Sequence, residues 1–239
     1  MTVISLTSIP SRFQYLPQIV EKLLEQEGSP TVYVCIPDRY KRFPDVEVVP
    51  PVFNSDRVKV LRGPDYGPAT KFIAPALAVP DDEKIVYVDD DTDYPRCLAR
   101  VLSMFRDGVW GLSGFIFSEY FSGKVSRANM EVDVIEGYGG VCIQAKIIKN
   151  NLQKFLELIE LTCMDDMVMS NVLKYLKVPV RTVVSPVCHV GMVRQYTYGF
   201  GQDALHYNNG EGSHVETYKR ILKTFSDKNV NYFTYRNAG

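Results

Sequence analysis

The sequence predicts an α/β protein with a mixed, mainly parallel central sheet flanked by helices. Three observations predict it. Over residues 1–105, short β-rich apolar runs alternate with segments whose apolar residues recur at helical spacing, the pattern of parallel strand–helix–strand units. One of those runs, EKIVYVD, is nearly continuously apolar, as expected of a strand buried on both faces. Beyond residue 105, strand-like runs persist without that alternation, so the parallel order breaks down there.

The elements follow in order. TVISLTS is a short strand ending in a polar turn, and PQIVEKLLEQEG is a helix closed by glycine. TVYVCIP and RVKVL are the second and third strands, PATKFIAPALAV is a short helix carrying Lys71 in its first turns, and EKIVYVD is the central strand followed by the helix RCLARVLSMF. In the second half VWGLSGFIF, GYGGVCIQ and VRTVV read as strands, and KIIKNNLQKFLELI and DDMVMSNVLKYL as helices. From His189 onward CHVGMVRQYTYGFGQDALHYNNGEGSH has little periodicity and much Gly, Tyr, Asn and His, which predicts a long loop over a site or a floppy connection. Residues 190–213 are expected to be mobile without ligand and to order over it, before the closing helix HVETYKRILKTF.

The 239 residues suffice for a full core. With no repeat or low-complexity linker they read as one domain, residues 1–105 forming one half and 106–239 the other. With 27 Lys plus Arg against 28 Asp plus Glu, no global field favours nucleic acid or an anionic membrane. The five cysteines are scattered and form no CxxC pair, against a disulfide framework or a zinc site. No basic leader precedes an apolar core, and no apolar run approaches the ~20 residues of a membrane span. A soluble, unexported protein is expected.

The chemistry concentrates in KIVYVDDDTDYP, where an apolar strand runs straight into Asp89, Asp90 and Asp91. Strand alternation would put Asp89 and Asp91 on one face and Asp90 on the other. Hard carboxylate oxygens suit Mg²⁺ or Mn²⁺ and leave positions for water and phosphate. A solvated turn would explain the triplet as well.

YVDDDT at a central strand end, TSIPSR after the first strand, YGPATK ahead of the Asp-rich strand and MDDMVMSNVL opening a late helix together resemble GT-A fold glycosyltransferases. They look in particular like the small nucleotide-sugar transferases that include the chlorella-virus enzymes decorating capsid glycans. The resemblance covers residues 1–190. It implies a Rossmann-like GT-A fold with a nucleotide-binding half and an acceptor-side half. It also implies that the loop after the first strand, with Thr7, Ser8 and Arg12, covers a nucleoside diphosphate sugar. By the same resemblance Asp89 meets the ribose, Asp90 belongs to the same binding set, and Asp91 binds Mn²⁺ or Mg²⁺. Lys71 could add positive charge at the diphosphate or be an ordinary exposed helix lysine. Of the helix-start pair, Asp165 is expected to be the N-cap and Asp166 the general base, with exchange of the two roles left open.

His189 follows a strand toward the sheet end where the metal is expected, so it is a candidate ligand, while His206 and His214 receive no role. The glycines of EGYGGV would let backbone approach a sugar, or simply make a tight turn. Trp110, Tyr120, Phe121 and Tyr138 could stack on sugar rings or fill the core.

The function expected is metal-dependent transfer of one sugar, with inversion, from a uridine diphosphate sugar to a hydroxyl of a glycan or glycoprotein. Cytosol is the expected compartment, that of a host cell if the protein is viral. A Mg²⁺-dependent nucleotidyltransferase or phosphohydrolase would also use clustered Asp, though TSIPSR lacks the glycines of a phosphate loop. A non-catalytic sugar- or Ca²⁺-binding module is the third reading.

Overall fold

The computed structural model describes residues 2–121, 130–200 and 214–233. Its first apolar runs become β1 (Thr2–Thr7), β2 (Thr31–Pro37), β3 (Val58–Gly63) and β4 (Lys84–Tyr87), all parallel in the order β3-β2-β1-β4. Helices α1 (Leu16–Leu24), α2 (Thr70–Ala78) and α3 (Leu98–Ser103) lie between and after them. No helix joins β2 to β3: residues 38–57 make that connection as irregular chain.

Past α3 the chain forms β5 (Thr92–Asp93, just ahead of that helix), β6 (Val109–Gly111), β7 (Gly114–Phe115), α4 (Phe117–Tyr120), β8 (Val134–Ile135) and β9 (Val141–Gln144). Then come α5 (Ala145–Lys149), α6 (Leu152–Ile159), α7 (Asp165–Tyr175), β10 (Val180–Thr182), β11 (Arg194–Gln195) and α8 (His214–Asp227). The main sheet has seven strands ordered β10-β6-β9-β4-β1-β2-β3, with β9 antiparallel to both its neighbours and β10 parallel to β6. Two small antiparallel pairs, β7–β8 and β5–β11, stand apart from it.

Alternation along the strands builds a core on each face. Ile85 and Tyr87 pack with Phe72 and Ile73 of α2, Phe155 of α6 and the buried side of α7. Val86 and Val88 pack on the other face with Ile19 and Leu23 of α1 and Leu98 and Leu102 of α3. Helices on both faces of a mainly parallel sheet follow, as the apolar runs predicted.

Two expected elements are divided. VWGLSGFIF breaks into β6 and β7, which join different sheets. KIIKNNLQKFLELI breaks at Asn150 and Asn151: the Asn151 amide donates to the Ile147 carbonyl at 2.8 Å, and the same residue occupies the N-cap of α6. An Asn side chain that competes for backbone partners favours such a boundary over a helix interior. Among the described residues, no helix is long and apolar enough to cross a membrane.

Candidate active site

The carboxyl ends of β1 and β4 lie side by side, so the turn after β1 meets the Asp triplet after β4. Ser8 Oγ donates a short hydrogen bond to Asp90, and the Arg12 guanidinium reaches Asp90 Oδ1 at 2.8 Å and Asp91 Oδ2 at 3.1 Å, all largely buried. The Tyr40 hydroxyl donates to the Ser8 carbonyl at 2.6 Å and holds that turn in place. Thr7 serves the sheet instead, donating to the Cys35 carbonyl at 2.7 Å.

The expected sharing of a face by Asp89 and Asp91 is not what forms. β4 ends at Tyr87, so the triplet lies beyond the pleat; Asp90 and Asp91 share Arg12 while Asp89 turns to Lys71. The repulsion of three adjacent carboxylates is thus offset by two cations of the chain itself.

Lys71 is 4% exposed and is no surface lysine. Its Nζ lies 2.6 Å from Asp89 Oδ1 and 2.9 Å from Asp165 Oδ2, with the Tyr87 ring centroid 5.7 Å away. Burial alone would lower the ammonium pKa, but Asp165, Asp89 and Asp166 outweigh it and hold it well above the ordinary value.

The capping role expected of Asp165 does not form. Asp165 is the first residue of α7, Met164 occupies the N-cap, and no side chain caps the helix. The contact of Asp165 Oδ2 with Lys71 is an ion pair without hydrogen-bond alignment, so this buried oxygen still lacks a hydrogen-bond partner. Asp166 is the second residue of α7 and accepts the Gly137 N–H on Oδ1 at 2.8 Å. Both carboxylates sit in the first turn, where the helix dipole favours negative charge. A Cβ at Gly137 would fall 3.0 Å from Lys71 Nζ and 3.1 Å from Asp166 Oδ1, so glycine lets this turn close on the pair.

Burial raises Asp90 to about 6 despite Arg12 and Ser8, and it raises Asp91, Asp165 and Asp166 as well, Asp166 furthest because Asp165 adjoins it. Each group then binds protons more readily folded than unfolded. Its destabilising effect is absent below the unfolded value of about 3.9, grows as pH rises from there to the folded value, and is complete above it. The ligand-free protein should therefore gain thermal stability between about pH 7 and about pH 5, and Asp90→Asn should flatten that slope. Calorimetric melts of both proteins across this range check it; parallel slopes would remove Asp90 as the source.

A cavity of about 740 Å³ opens over these groups, lined by Thr7, Ser8, Arg12, Lys71, Asp89, Asp90, Asp91, Asp165 and Asp166. Every expected site residue but His189 lines it. His189 is half-buried ahead of the turn at 190–192. His206 and the side chain of His214 fall outside the described residues. Of the four candidate stacking aromatics only Tyr138 lines the cavity; Trp110 stacks on Phe105, Tyr120 on Phe115, and Phe121 packs against Phe117.

The sequence reading missed several groups on the wall. Glu136 stood unremarked in front of the glycines of EGYGG, and it accepts from Ser113 Oγ at 2.6 Å. Tyr40, Lys41, Arg42 and Phe43 come from the irregular connection after β2, and Tyr218 from α8, none of them within a motif. Asp65 ties that connection to α2, accepting the backbone N–H groups of Lys41 and Gly67.

The segment after His189 is also less loose than expected. β11 pairs with β5, Tyr196 N–H donates to the Asp91 carbonyl at 2.7 Å, and the Tyr198 hydroxyl donates to the Asp90 carbonyl at 2.8 Å. Tyr198 stacks on Tyr15 at 4.1 Å. Residues 194–198 are thereby strapped to the triplet, whereas residues 201–213 lie outside the described part.

Carboxylates are the donor type that a hard divalent cation takes, and here they are already met by Arg12 and Lys71. Asp89 and Asp91 present carboxylates at the cavity, while Asp165 Oδ2 is taken by its ion pair with Lys71. Among the described residues no three Asp, Glu, His or Cys side chains converge into a complete cage. A few carboxylates completed by phosphate and water are how Mg²⁺ is commonly held.

No protein-family model and no curated protein matches the chain by sequence. Solved structures do match it in three dimensions. The galactosyltransferase LgtC, in complex with donor and acceptor sugar analogues, superposes with a TM-score of 0.50 at 12% identity, over 100% of this chain and 98% of that one. TarS of S. aureus gives 0.50 at 10% identity, over 99% of this chain and 40% of its own. The mannosyltransferase PcManGT of Pyrobaculum calidifontis, in complex with GDP-Man and Mn²⁺, gives 0.48 at 12% identity over 95% and 74%. The sheet, its flanking helices and the first of these likenesses give the chain the GT-A-like fold of glycosyltransferases.

Proposed function

We propose that the protein is a glycosyltransferase that moves a sugar from a nucleoside diphosphate sugar, with uridine as the nucleoside, to a hydroxyl of a glycan or glycoprotein with inversion. The observation that carries this reading is the single cavity that gathers Arg12, Lys71, the Asp triplet and the Asp165–Asp166 pair at the carboxyl edge of the sheet. That edge is where ligands of open α/β sheets bind. The motifs TSIPSR, YGPATK and YVDDDT, which resemble those of the virus-encoded capsid-glycan transferases, supply three of its walls.

In this reading Asp89 faces the ribose, and Asp91 would hold Mg²⁺ or Mn²⁺. Such a cation, when bound, stabilises the charge that develops on a departing diphosphate. Arg12 and Lys71 set the electrostatics around it: each is fixed by two carboxylates, so neither reorganises during the reaction. Asp166 takes the proton of the attacking hydroxyl on the oxygen not bound to Gly137. Burial and the adjoining Asp165 raise its pKa, so it takes up a proton more readily than a free carboxylate.

Isothermal titration of Asp91→Ala with uridine diphosphate tests the binding half of the reading. The part of the affinity that depends on Mn²⁺ should fall roughly tenfold or more, a loss of about 1.4 kcal/mol. Unchanged Mn²⁺-dependent affinity in a folded variant would reject Asp91 as the ligand.

A further inference from the structure

The wall opposite the triplet carries groups that neither the nucleotide nor the base assignment uses. Glu136 closes β8, Tyr138 sits in the glycine turn that follows, and Tyr218 arrives from α8; all three line the cavity beside Asp166. We infer that Glu136, Tyr138 and Tyr218 form a subsite for an uncharged pyranose ring. The inference rests on the glycosyltransferase reading and names what that site recognises.

The turn is built to hold these groups still. Ser170 Oγ accepts the Ile135 N–H at 3.0 Å and Asp166 accepts the Gly137 N–H, so α7 grips the backbone on both sides of Glu136. Ser113 Oγ lies 2.6 Å from Glu136 Oε2 and 3.0 Å from the Tyr138 hydroxyl. If Tyr138 donates to Ser113 and Ser113 to Glu136, the chain of bonds runs one way and ends on the carboxylate. The tyrosine ring, 36% exposed, is thereby fixed with its surface at the cavity, and the second Glu136 oxygen is left for a ligand.

Tyr218 is the independent sign of a ligand. It is 3% exposed as a residue and packed against Phe115 at 5.2 Å and Tyr120 at 5.6 Å, so its ring is fixed, while it lines the cavity and its hydroxyl makes no hydrogen bond to a described residue. A hydroxyl held on a rigid ring at a cavity wall can donate to or accept from a ligand there. This one lies in the field of Asp166 and Glu136, which with burial raises its pKa.

An acceptor carboxylate, a hydroxyl able to donate or accept, and an aromatic face together match the hydroxyls and C–H surface of a sugar. Among the described residues no cation is ion-paired with Glu136. Arg12 is held by Asp90 and Asp91, Lys71 by Asp89 and Asp165, and Lys41 and Arg42 belong to the connection after β2. A sugar carrying its own carboxylate would therefore meet the Glu136 carboxylate with no described cation paired to it, which selects against it.

The ring bound here could be the transferred sugar or the sugar that bears the accepting hydroxyl, and one experiment separates them. Wild type, Glu136→Gln and Tyr218→Phe are titrated with the free nucleoside diphosphate, with its glucose, galactose and N-acetylglucosamine esters and with its glucuronate ester. Uridine and guanosine series are both run. Methyl glycosides of the neutral sugars are then titrated with the diphosphate bound. Tyr218→Phe removes a hydroxyl with no described partner, so its melting temperature should equal that of wild type.

If the donor sugar occupies the subsite, both variants lose about tenfold or more of the affinity for the best neutral ester relative to the free diphosphate. If the acceptor occupies it, the same loss falls on the methyl glycoside alone. Wild type should bind the glucuronate ester at least tenfold more weakly than the best neutral ester when the donor sugar sits there. Diphosphate binding with no sugar-dependent change in either variant would overturn the subsite alone. Failure of wild type to bind either nucleotide series would overturn the subsite together with the reading it rests on.

Discussion

Asp166→Asn should lower sugar transfer by roughly 10²- to 10⁴-fold while leaving nucleotide affinity near wild type and, since it removes a buried charge beside Asp165, without lowering the melting temperature at neutral pH. The structure makes this substitution clean. The amide oxygen of Asn can still accept the Gly137 N–H that Asp166 Oδ1 takes at 2.8 Å, so the turn keeps its anchor and only the ability to take a proton disappears. Neither aspartate caps α7, and both lose the same favourable charge in its first turn on becoming Asn, so the two variants are compared on an equal footing. Asp165→Asn is the control: it weakens the ion pair to Lys71 and should register in stability more than in turnover. A folded Asp166→Asn enzyme with full activity would end the base assignment, and loss confined to Asp165→Asn would exchange the roles.

Lys71→Met should be the most destabilising single change at the site. Its buried ammonium touches both Asp89 and Asp165, and removing one member of such a group leaves uncompensated charge at a cost of about 3–5 kcal/mol. For a chain of this size that corresponds to roughly 10 °C in melting temperature. The loss should shrink toward about pH 5, because Asp165 and Asp166 already take up protons above the ordinary carboxylate range and lose their mutual repulsion when they do. Thermal melts at two pH values measure both effects; a variant that melts like wild type at neutral pH would show that water compensates the carboxylates unaided.

Much of this was legible in the sequence where a local rule governed. EKIVYVD is apolar at every position that faces either core, so its burial and the emergence of the triplet at its end could be read directly. The helix opening at DDMVMSNVL was visible for the same reason. What could not be read depended on partners distant along the chain. Whether Lys71 was a surface lysine or a buried cation turned on Asp89 and Asp165, which helical spacing says nothing about. Asp165 looks like a cap because capping is the commonest use of an Asp there, and the pull of a lysine on another helix overrode it. Glu136 and Tyr218 have no local signature, since each becomes a site residue only when β8 and α8 are brought to the same wall.

The reversed strand β9 has a consequence for how the protein comes to exist. In a wholly parallel sheet, the segment entering a strand lies at the edge away from the ligand. Because β9 runs against β4, with Val141 opposite Tyr87, the Glu136–Gly140 turn that enters it is delivered beside the end of β4. The catalytic centre is therefore absent from any nascent chain that stops short of β9, even though Lys71 and all three triplet aspartates have been synthesised. Its assembly waits on pairings between residues far apart in sequence, the slow class of folding events, and while it waits the carboxylates are open to solvent. Activity should thus return in refolding no sooner than the β4–β9 register locks, which makes turnover a reporter for completion of the sheet rather than of its first half.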